Sequence, residues 1–434
     1  MASRTSSRAP SRSVSSASLS TRRNTLVAEL SPAEKEKAAR ITAACSDDSL
    51  NLDHLVQLAT STHGLVNDEL RRTVWPLLLG CDHGGARTTG TPWRDLPPHA
   101  DEGQVALDVN RAFVYYPKNE TDKQLDARKA DLSNVIVEVL RRHPSLCYFQ
   151  GYHDIVQVFL LVLGGGGSGA DHNHHDAPSQ AVARLSLLRI RDFMLSSLDP
   201  ALAHLELLHP ILQHADPGLY AHLPKSQPSF ALAGTITMFA HNIQEYRDIA
   251  RLFDFFLAHH TVMPIYFFAA VVLSRRDEML DIEPDDVDIM HAILGKLPQP
   301  FDVEFHIARA VELYERLPPD SLGVWSWWRI SAYSVLKTSR SVAELRGLSL
   351  DDGERLFRVQ EQEVRRQQAL KKAVLRARYF KARLWYYRRP GMYGLAIAVG
   401  VYALWLGRNG ASQPLGLQFG PLGSLFKRVL AGFL

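Results

Sequence analysis

Cysteine is scarce in this chain. Its 434 residues include three, Cys45, Cys81 and Cys147, far apart and odd in number. No CxxC pair exists, so neither a zinc ribbon nor a disulfide framework is indicated. Reduced, mostly buried thiols in a cytosolic domain are the expectation. Net charge is low as well: basic residues exceed acidic ones by three. That gives no argument for a nucleic-acid partner, and none is expected. No GxxxxGK[ST] loop is present, so the chain should bind no nucleotide by itself, and there is no HExxH metal motif. The N-terminus has no apolar h-region, which excludes a secretory signal. Its first 30 residues are rich in Ser and Arg but poor in bulky apolar side chains. They read as a disordered, phosphorylatable tail rather than a mitochondrial transit peptide.

What is present is helical. Hydrophobic residues make up 46% of the chain, enough for a large core, and the length suggests two or three folded units at most. Ser31-Pro32-Ala33-Glu34 reads as an N-cap, a first-turn proline and a capping-box acid. From there apolar residues recur at three and four, as in Ala130–Arg142, Ala181–Leu198, Ala231–Glu245 and Ala250–His259. No convincing alternating strand and no fixed-period repeat appear. The expected fold is all-α, with a helical domain over 31–340.

One insertion, 164–179 (GGGGSGADHNHHDAPS), breaks the pattern. Glycine removes backbone restraint and the polar residues build no core, so a mobile loop is expected. His172, His174 and His175 offer metal-ligand chemistry, but such a loop does not hold ligands at fixed geometry, so no metal site is assigned. Gly166-x-Ser168-x-Ala170 narrowly misses a nucleophile elbow and lacks its strand–turn–helix setting. A zinc hydrolase is thus a remote reading.

The C-terminal part has a different texture. Residues 351–390 read as a basic juxtamembrane helix, with about ten cations and no acid from Arg365 to Arg389. An uncharged apolar run follows, Gly391–Gly407. Its seventeen residues span roughly 25 Å as a helix, the short end for a bilayer. Tyr386, Tyr387 and Trp405 stand where an interfacial aromatic belt would lie, and the basic block favours a cytosolic N-terminal side. The expectation is a transmembrane helix over 391–407 that contacts membrane lipid. A buried core helix is the alternative. The apolar tail, 408–434, reads as an interfacial segment.

Two short motifs carry the chemistry. The first is Val105-x-x-Asp108-x-x-Arg111. The second is Tyr148-Phe149-Gln150-Gly151, with Asp154 after it. Asp108 lies three residues before Arg111, on the same helical face, and is placed to fix its guanidinium. The plain alternative is a surface ion pair. Gln150 has both a donor and an acceptor, while Tyr148 and Asp154 flank it as a packing platform and an orienting carboxylate. Core aromatics and a solvated glutamine are the alternative there.

Together the motifs resemble the twin signatures of the TBC-domain Rab GTPase-activating proteins. The resemblance runs from about Gly64 to Tyr333. It takes in Gly64-Leu65, Leu70-Arg71, Val74-Trp75-Pro76-Leu77-Leu78-Leu79-Gly80, Phe230–Phe239 and Arg251-Leu252-Phe253-Asp254. Val105 replaces the commoner isoleucine, and Phe230 and Phe253 stand where many members have tryptophan. With the C-terminal run, these details look most like the endoplasmic-reticulum-anchored branch. The resemblance implies an arginine finger at Arg111 and a glutamine finger at Gln150, with Asp108, Tyr148, Gly151 and Asp154 in support. Gly151 would let the partner's main chain approach closely. The implied partner is a GTP-bound Rab of early secretory traffic. That partner brings GTP and magnesium, and the chain carries no cofactor of its own. An arginine neutralises charge on a transferring phosphoryl group and a glutamine orients the attacking water. The expected location is the endoplasmic reticulum membrane, by a single-pass tail anchor, with the helical domain cytosolic. A non-catalytic, membrane-anchored Rab-binding adaptor is the second reading.

Overall fold

The computed structural model describes residues 30–46, 51–83, 91–118, 120–164, 176–322 and 325–408. Among these residues there is no strand. The histidine cluster His172–His175, the near-elbow serine, the N-terminal tail and nearly all of 408–434 lie outside the described residues.

The helices in chain order are α1 (Pro32–Ser46), α2 (Leu52–Thr60), α3 (Asp68–Leu79), α4 (Glu102–Val109), α5 (Asp122–Arg142), α6 (Tyr152–Leu163) and α7 (Asp176–Leu188). Then come α8 (Asp199–Leu205), α9 (Leu208–Ala215), α10 (Pro217–His222), α11 (Leu232–Ile236), α12 (Tyr246–Ala258), α13 (Met263–Ser274) and α14 (Arg276–Leu280). The last are α15 (Val287–Leu294), α16 (Val303–Arg316), α17 (Trp325–Arg329), α18 (Val335–Thr338), α19 (Val342–Arg346) and α20 (Leu350–Arg408). The chain divides after Val364 into two compact units.

In the first unit, α6 and α13 are apolar nearly all round and are buried, as such helices must be. Helices α3, α4, α5 and α7 pack against α6, and α9, α11 and α16 pack against α13. The capping box read at Ser31 forms: Ser31 donates through its amide and its hydroxyl to Glu34 Oε2, each at 2.8 Å. The buried Asp254 carboxylate joins three distant sequence blocks. It accepts from Arg71 Nη2 (2.9 Å), Trp75 Nε1 (2.8 Å) and the Leu65 amide (2.9 Å). Trp75, Phe159 and Phe253 pack beside it, with ring centroids 5.2–5.9 Å apart. Gly64 is held at φ +51°, and a Cβ there would lie 2.5 Å from Asp254 Oδ2. Only glycine fits that approach.

Three segments differ from the periodicity reading. Ala181–Leu198 is not one helix, because α7 ends at Leu188. Beyond it Arg189 reaches inward to the carbonyl of His259 (2.9 Å), and Asp192 meets His204 Nε2 at 2.8 Å. These buried polar groups pull the chain out of helical geometry. Ala231–Glu245 is helical only through Ile236. Met238 and Phe239 take positive φ, 49° and 64°, and the Phe239 ring enters a cluster with Phe256, Phe267 and Phe268. Core packing overrides local pattern there. The end of the insertion belongs to α7: Asp176 starts that helix, and Ser179 Oγ is buried against Glu138 Oε2 at 2.7 Å. Pro178 is tolerated because the first turn needs no amide donor. The three cysteines are half-buried rather than fully buried. Burial pushes the Cys81 thiol up to about 12, so it is inert at neutral pH.

The basic stretch and the apolar run are one continuous helix, α20, which passes through Pro390. In the second unit Met392, Leu395, Ile397, Val399 and Val401 are exposed. Among the described residues no helix is long and apolar enough to cross a membrane.

Candidate functional site

The two motifs meet at one groove. α4 carries Asp108 in its last turn, and the chain leaves that helix at Asn110, so Arg111 stands just past its end. Asp108 is fully buried, whereas the Arg111 side chain is 65% exposed and bonds Asp108 Oδ1 through Nη2. The same carboxylate accepts from Gln104 Nε2 (3.1 Å) and the Tyr148 hydroxyl (2.9 Å). Burial opposes its ionisation, yet the hydrogen bonds from Tyr148, Arg111 and Gln104 outweigh it and hold the carboxyl below the usual range. The anchor is therefore charged throughout the physiological range. Burial, and then the Asp108 carboxylate, drive the Tyr148 phenol upward, so it remains a donor.

The loop after Arg111 is pinned as well. Phe113 is held at φ 63°, and its amide donates to the buried Gln157 Oε1 of α6 at 2.9 Å. Lys129 of α5 reaches the carbonyl of Asn110 at 2.9 Å.

Gln150 lies in the turn before α6 and is exposed. Among the described residues its side-chain amide makes no hydrogen bond. The turn is fixed at both ends. The Tyr148 amide donates to Asp101 Oδ2 at 2.9 Å, and Gly151 caps α6 at φ 100°. A Cβ on Gly151 would lie 2.6 Å from Thr237 Cγ2. The glycine thus serves a close contact inside the chain. Phe149 is core, edge-on to Phe193 at 6.3 Å. The Tyr148 hydroxyl is committed to Asp108. Asp154, in the first turn of α6, binds His241 Nδ1 at 2.9 Å and His153 Nε2 at 3.3 Å.

Arg111, Gln150, Gly151 and Asp154 all line a groove of about 540 Å³, with exposed apolar side chains from Val114, Tyr115 and Leu198. A planar cation and an unengaged amide therefore face one concave surface, each on a braced segment. Among the described residues no group of three or more His, Cys, Asp or Glu side chains is placed to hold a metal.

A family model, the Rab-GTPase-TBC domain, matches residues 68–280, which include both motifs. The chain is 36% identical over 298 residues to human TBC1 domain family member 20, covering 68% of this chain and 71% of that protein. This chain belongs to the TBC-domain Rab GTPase-activating proteins. It is also 33% identical over 319 residues to the GTPase-activating protein gyp10 of Schizosaccharomyces pombe, covering 71% of this chain and 80% of that one. The fold matches the crystal structure of the Ypt/Rab-GAP domain of Gyp1p with a TM-score of 0.52 at 15% identity, over 65% of this chain and 98% of that domain. The TBC domain is accordingly an activator of GTP hydrolysis by a Rab partner, and the family implies no cofactor of its own.

All six site residues read from the sequence of this TBC domain fall in or directly behind the groove. Five further residues escaped that reading: Asp101, Gln104, His153, Gln157 and His241. Gln104 lies one turn before Asp108, a spacing visible in the sequence. His153 stands next to Asp154 in the sequence, and the remaining three act across contacts that only the fold creates.

Proposed function

We propose that this TBC domain stimulates its Rab by inserting Arg111 as an arginine finger and Gln150 as a glutamine finger beside the bound GTP. The observation that carries this reading is the pairing of an exposed guanidinium, held by a buried carboxylate, with an unengaged amide on the same groove. Arg111 would neutralise charge on the transferring phosphoryl group, and Gln150 would orient the attacking water. The Rab supplies GTP and magnesium. Asp108, Tyr148, Gly151 and Asp154 brace the two fingers. The exposed Val114, Tyr115 and Leu198 give the partner an apolar landing surface around them.

The same proposal places the protein on a membrane of the early secretory pathway, the endoplasmic reticulum, with the TBC domain in the cytosol. Its support is the resemblance to the anchored branch, the basic α20 and the exposed apolar run that follows. Such a run is unfavourable in water and favourable in lipid. At roughly 25 Å it is shorter than the hydrocarbon core, so crossing requires local thinning of the bilayer.

The test is single-turnover hydrolysis by a panel of GTP-loaded Rabs. Arg111→Lys keeps the charge but loses the fork, and should cut stimulation by roughly 10³-fold while leaving Rab binding nearly intact. A Rab whose own glutamine is replaced by alanine should still respond to the wild-type chain but not to Gln150→Ala. Tight binding should require GDP with aluminium fluoride, which mimics the transition state. Equal binding to every nucleotide state, with near-normal rates for Arg111→Lys, would replace this reading by the non-catalytic adaptor.

A further inference from the structure

The groove carries a second exposed side chain held on a carboxylate, as Arg111 is. Arg111 is 65% exposed on a fully buried carboxylate, and His241 is 63% exposed on Asp154, itself only 17% exposed. Both pairs line the same groove. They are also linked: His153 contacts Asp154 Oδ1 at 3.3 Å and the Tyr148 hydroxyl at 3.2 Å, and that hydroxyl donates to Asp108. In the His241 ring, Nδ1 is committed to Asp154. Nε2 makes no hydrogen bond among the described residues, which leaves one N–H donor for an incoming group when the ring is protonated.

The groups facing His241 decide its charge. The α6 helix contributes Asp154 and His153, and the segment after α4 contributes Arg111, Tyr115 and Tyr116 to the same groove. The hydrogen bond to Asp154 raises His241 above the ordinary histidine range, against the effect of burial. Burial lowers His153, against Asp154 and Asp108, so His153 is the neutral member of the chain.

We infer that His241 is a second recognition cation of the groove, which takes a carboxylate on the surface of the docked GTPase. This rests on the reading that the GTPase docks over Arg111 and Gln150. With the Nδ1 proton given to Asp154, a neutral ring leaves Nε2 without a proton, so donation from Nε2 to an incoming group requires the imidazolium. The hydrogen bond to Asp154 favours that form at an exposed rim, an arrangement that suits a charge-assisted bond to an anion. His241 is then a specificity-determining residue beside the fingers.

The decisive variant is His241→Asn in the full chain. Its amide can keep the bond to Asp154 but presents no outward donor at the Nε2 position. The probe is a GTP-loaded Rab that the wild-type chain stimulates, with its concentration varied between about pH 6 and 8.5. The expected result is a KM roughly five- to tenfold higher at pH 6, with kcat within twofold. Wild-type KM should rise with pH as the imidazolium loses its proton, whereas the His241→Asn profile should be flat. Identical KM values and parallel pH profiles would overturn the inference. So would a fall in kcat at unchanged KM, because His241 would then brace the wall rather than touch the partner. Arg111→Ala in the same assay separates the two readings. Lost turnover with Arg111→Ala, beside an unaltered His241→Asn, removes only the role of His241. Unaltered turnover with Arg111→Ala removes the docking reading beneath it.

Discussion

Asp108 gives the sharpest test of how the arginine is used. It is fully buried and accepts from Arg111, Gln104 and Tyr148. In the folded protein it holds the guanidinium in one rotamer before the partner arrives. Without it, the side-chain entropy of arginine, about 2 kcal/mol, is lost in the transition state instead, and that corresponds to roughly 30-fold in kcat. Asp108→Ala should therefore slow stimulated turnover by roughly 30-fold, well short of the roughly 10³-fold expected for loss of the finger itself. It also removes the acceptor of the Tyr148 hydroxyl and the Gln104 amide; the hydroxyl can turn to His153 Nδ1 and the exposed amide to water, so the cost in stability should be about 1 kcal/mol.

Asp108→Asn is the milder probe. The Asn carbonyl can accept from Arg111 and Gln104, and its amide can face Tyr148. The Tyr148 hydroxyl can then turn to His153 Nδ1, already 3.2 Å away. Only charge assistance is lost, about 1 kcal/mol, so the drop should be roughly fivefold. The assay is single-turnover hydrolysis at saturating protein, with a thermal melt for each variant. Two outcomes would refute the reasoning. One is Asp108→Ala equal to Arg111→Ala in a folded protein, which would give the carboxylate a direct part in the chemistry. The other is Asp108→Ala with wild-type turnover, which would mean that holding the rotamer contributes nothing.

Legibility from sequence followed the range of the interactions. The all-α class was readable because helical period is local. The capping box at Ser31 was readable because Glu34 is three residues away, and Asp108 with Arg111 for the same reason. The breaks after Leu188 and Ile236 were not readable. Their causes are Arg189 reaching the carbonyl of His259 and Phe239 entering an aromatic cluster, both set by distant packing. Gly151 shows the middle case. Its presence beside Gln150 was visible, but its reason was not, because Thr237 approaches from a segment more than eighty residues later. His241 could have been found by no spacing rule, since its anchor Asp154 lies 87 positions earlier.

The remaining predictions address the turn, the acid response and the membrane. Gly151→Ala combines an unfavourable positive φ with a 2.6 Å contact to Thr237 Cγ2, so it should destabilise by about 2–4 kcal/mol. Thr237→Ser in the same chain removes that methyl and should restore part of the melting temperature; no restoration would mean that the contact is not the cause. Burial, reinforced by Arg189, pushes His259 down to about 4 and His260 to about 3. Below the unfolded value near 6.5 the unfolded chain binds more protons, so stability present at neutral pH is lost as pH falls, by up to about 1.4 kcal/mol per pH unit for each ring. His260→Asn keeps an acceptor for the Val262 amide, and its melting temperature should depend less on pH between about 7 and 5; an equal slope would exclude His260 as the titrating group. The last prediction concerns the apolar run. Val399 sits near its middle, and Val399→Arg should cost roughly 2.5–3.5 kcal/mol of insertion free energy. A span of seventeen residues falls about 5 Å short of a hydrocarbon core of roughly 30 Å, so its insertion is marginal before any charge is added. The substitution should therefore move most of the protein from the carbonate-resistant to the soluble fraction. Turnover of a Rab in detergent should stay unchanged, since Val399 lies in the second unit and both fingers lie in the first. Wild-type protein that washes off in carbonate, or fingers protected from protease inside sealed microsomes, would rule out membrane attachment with the TBC domain in the cytosol.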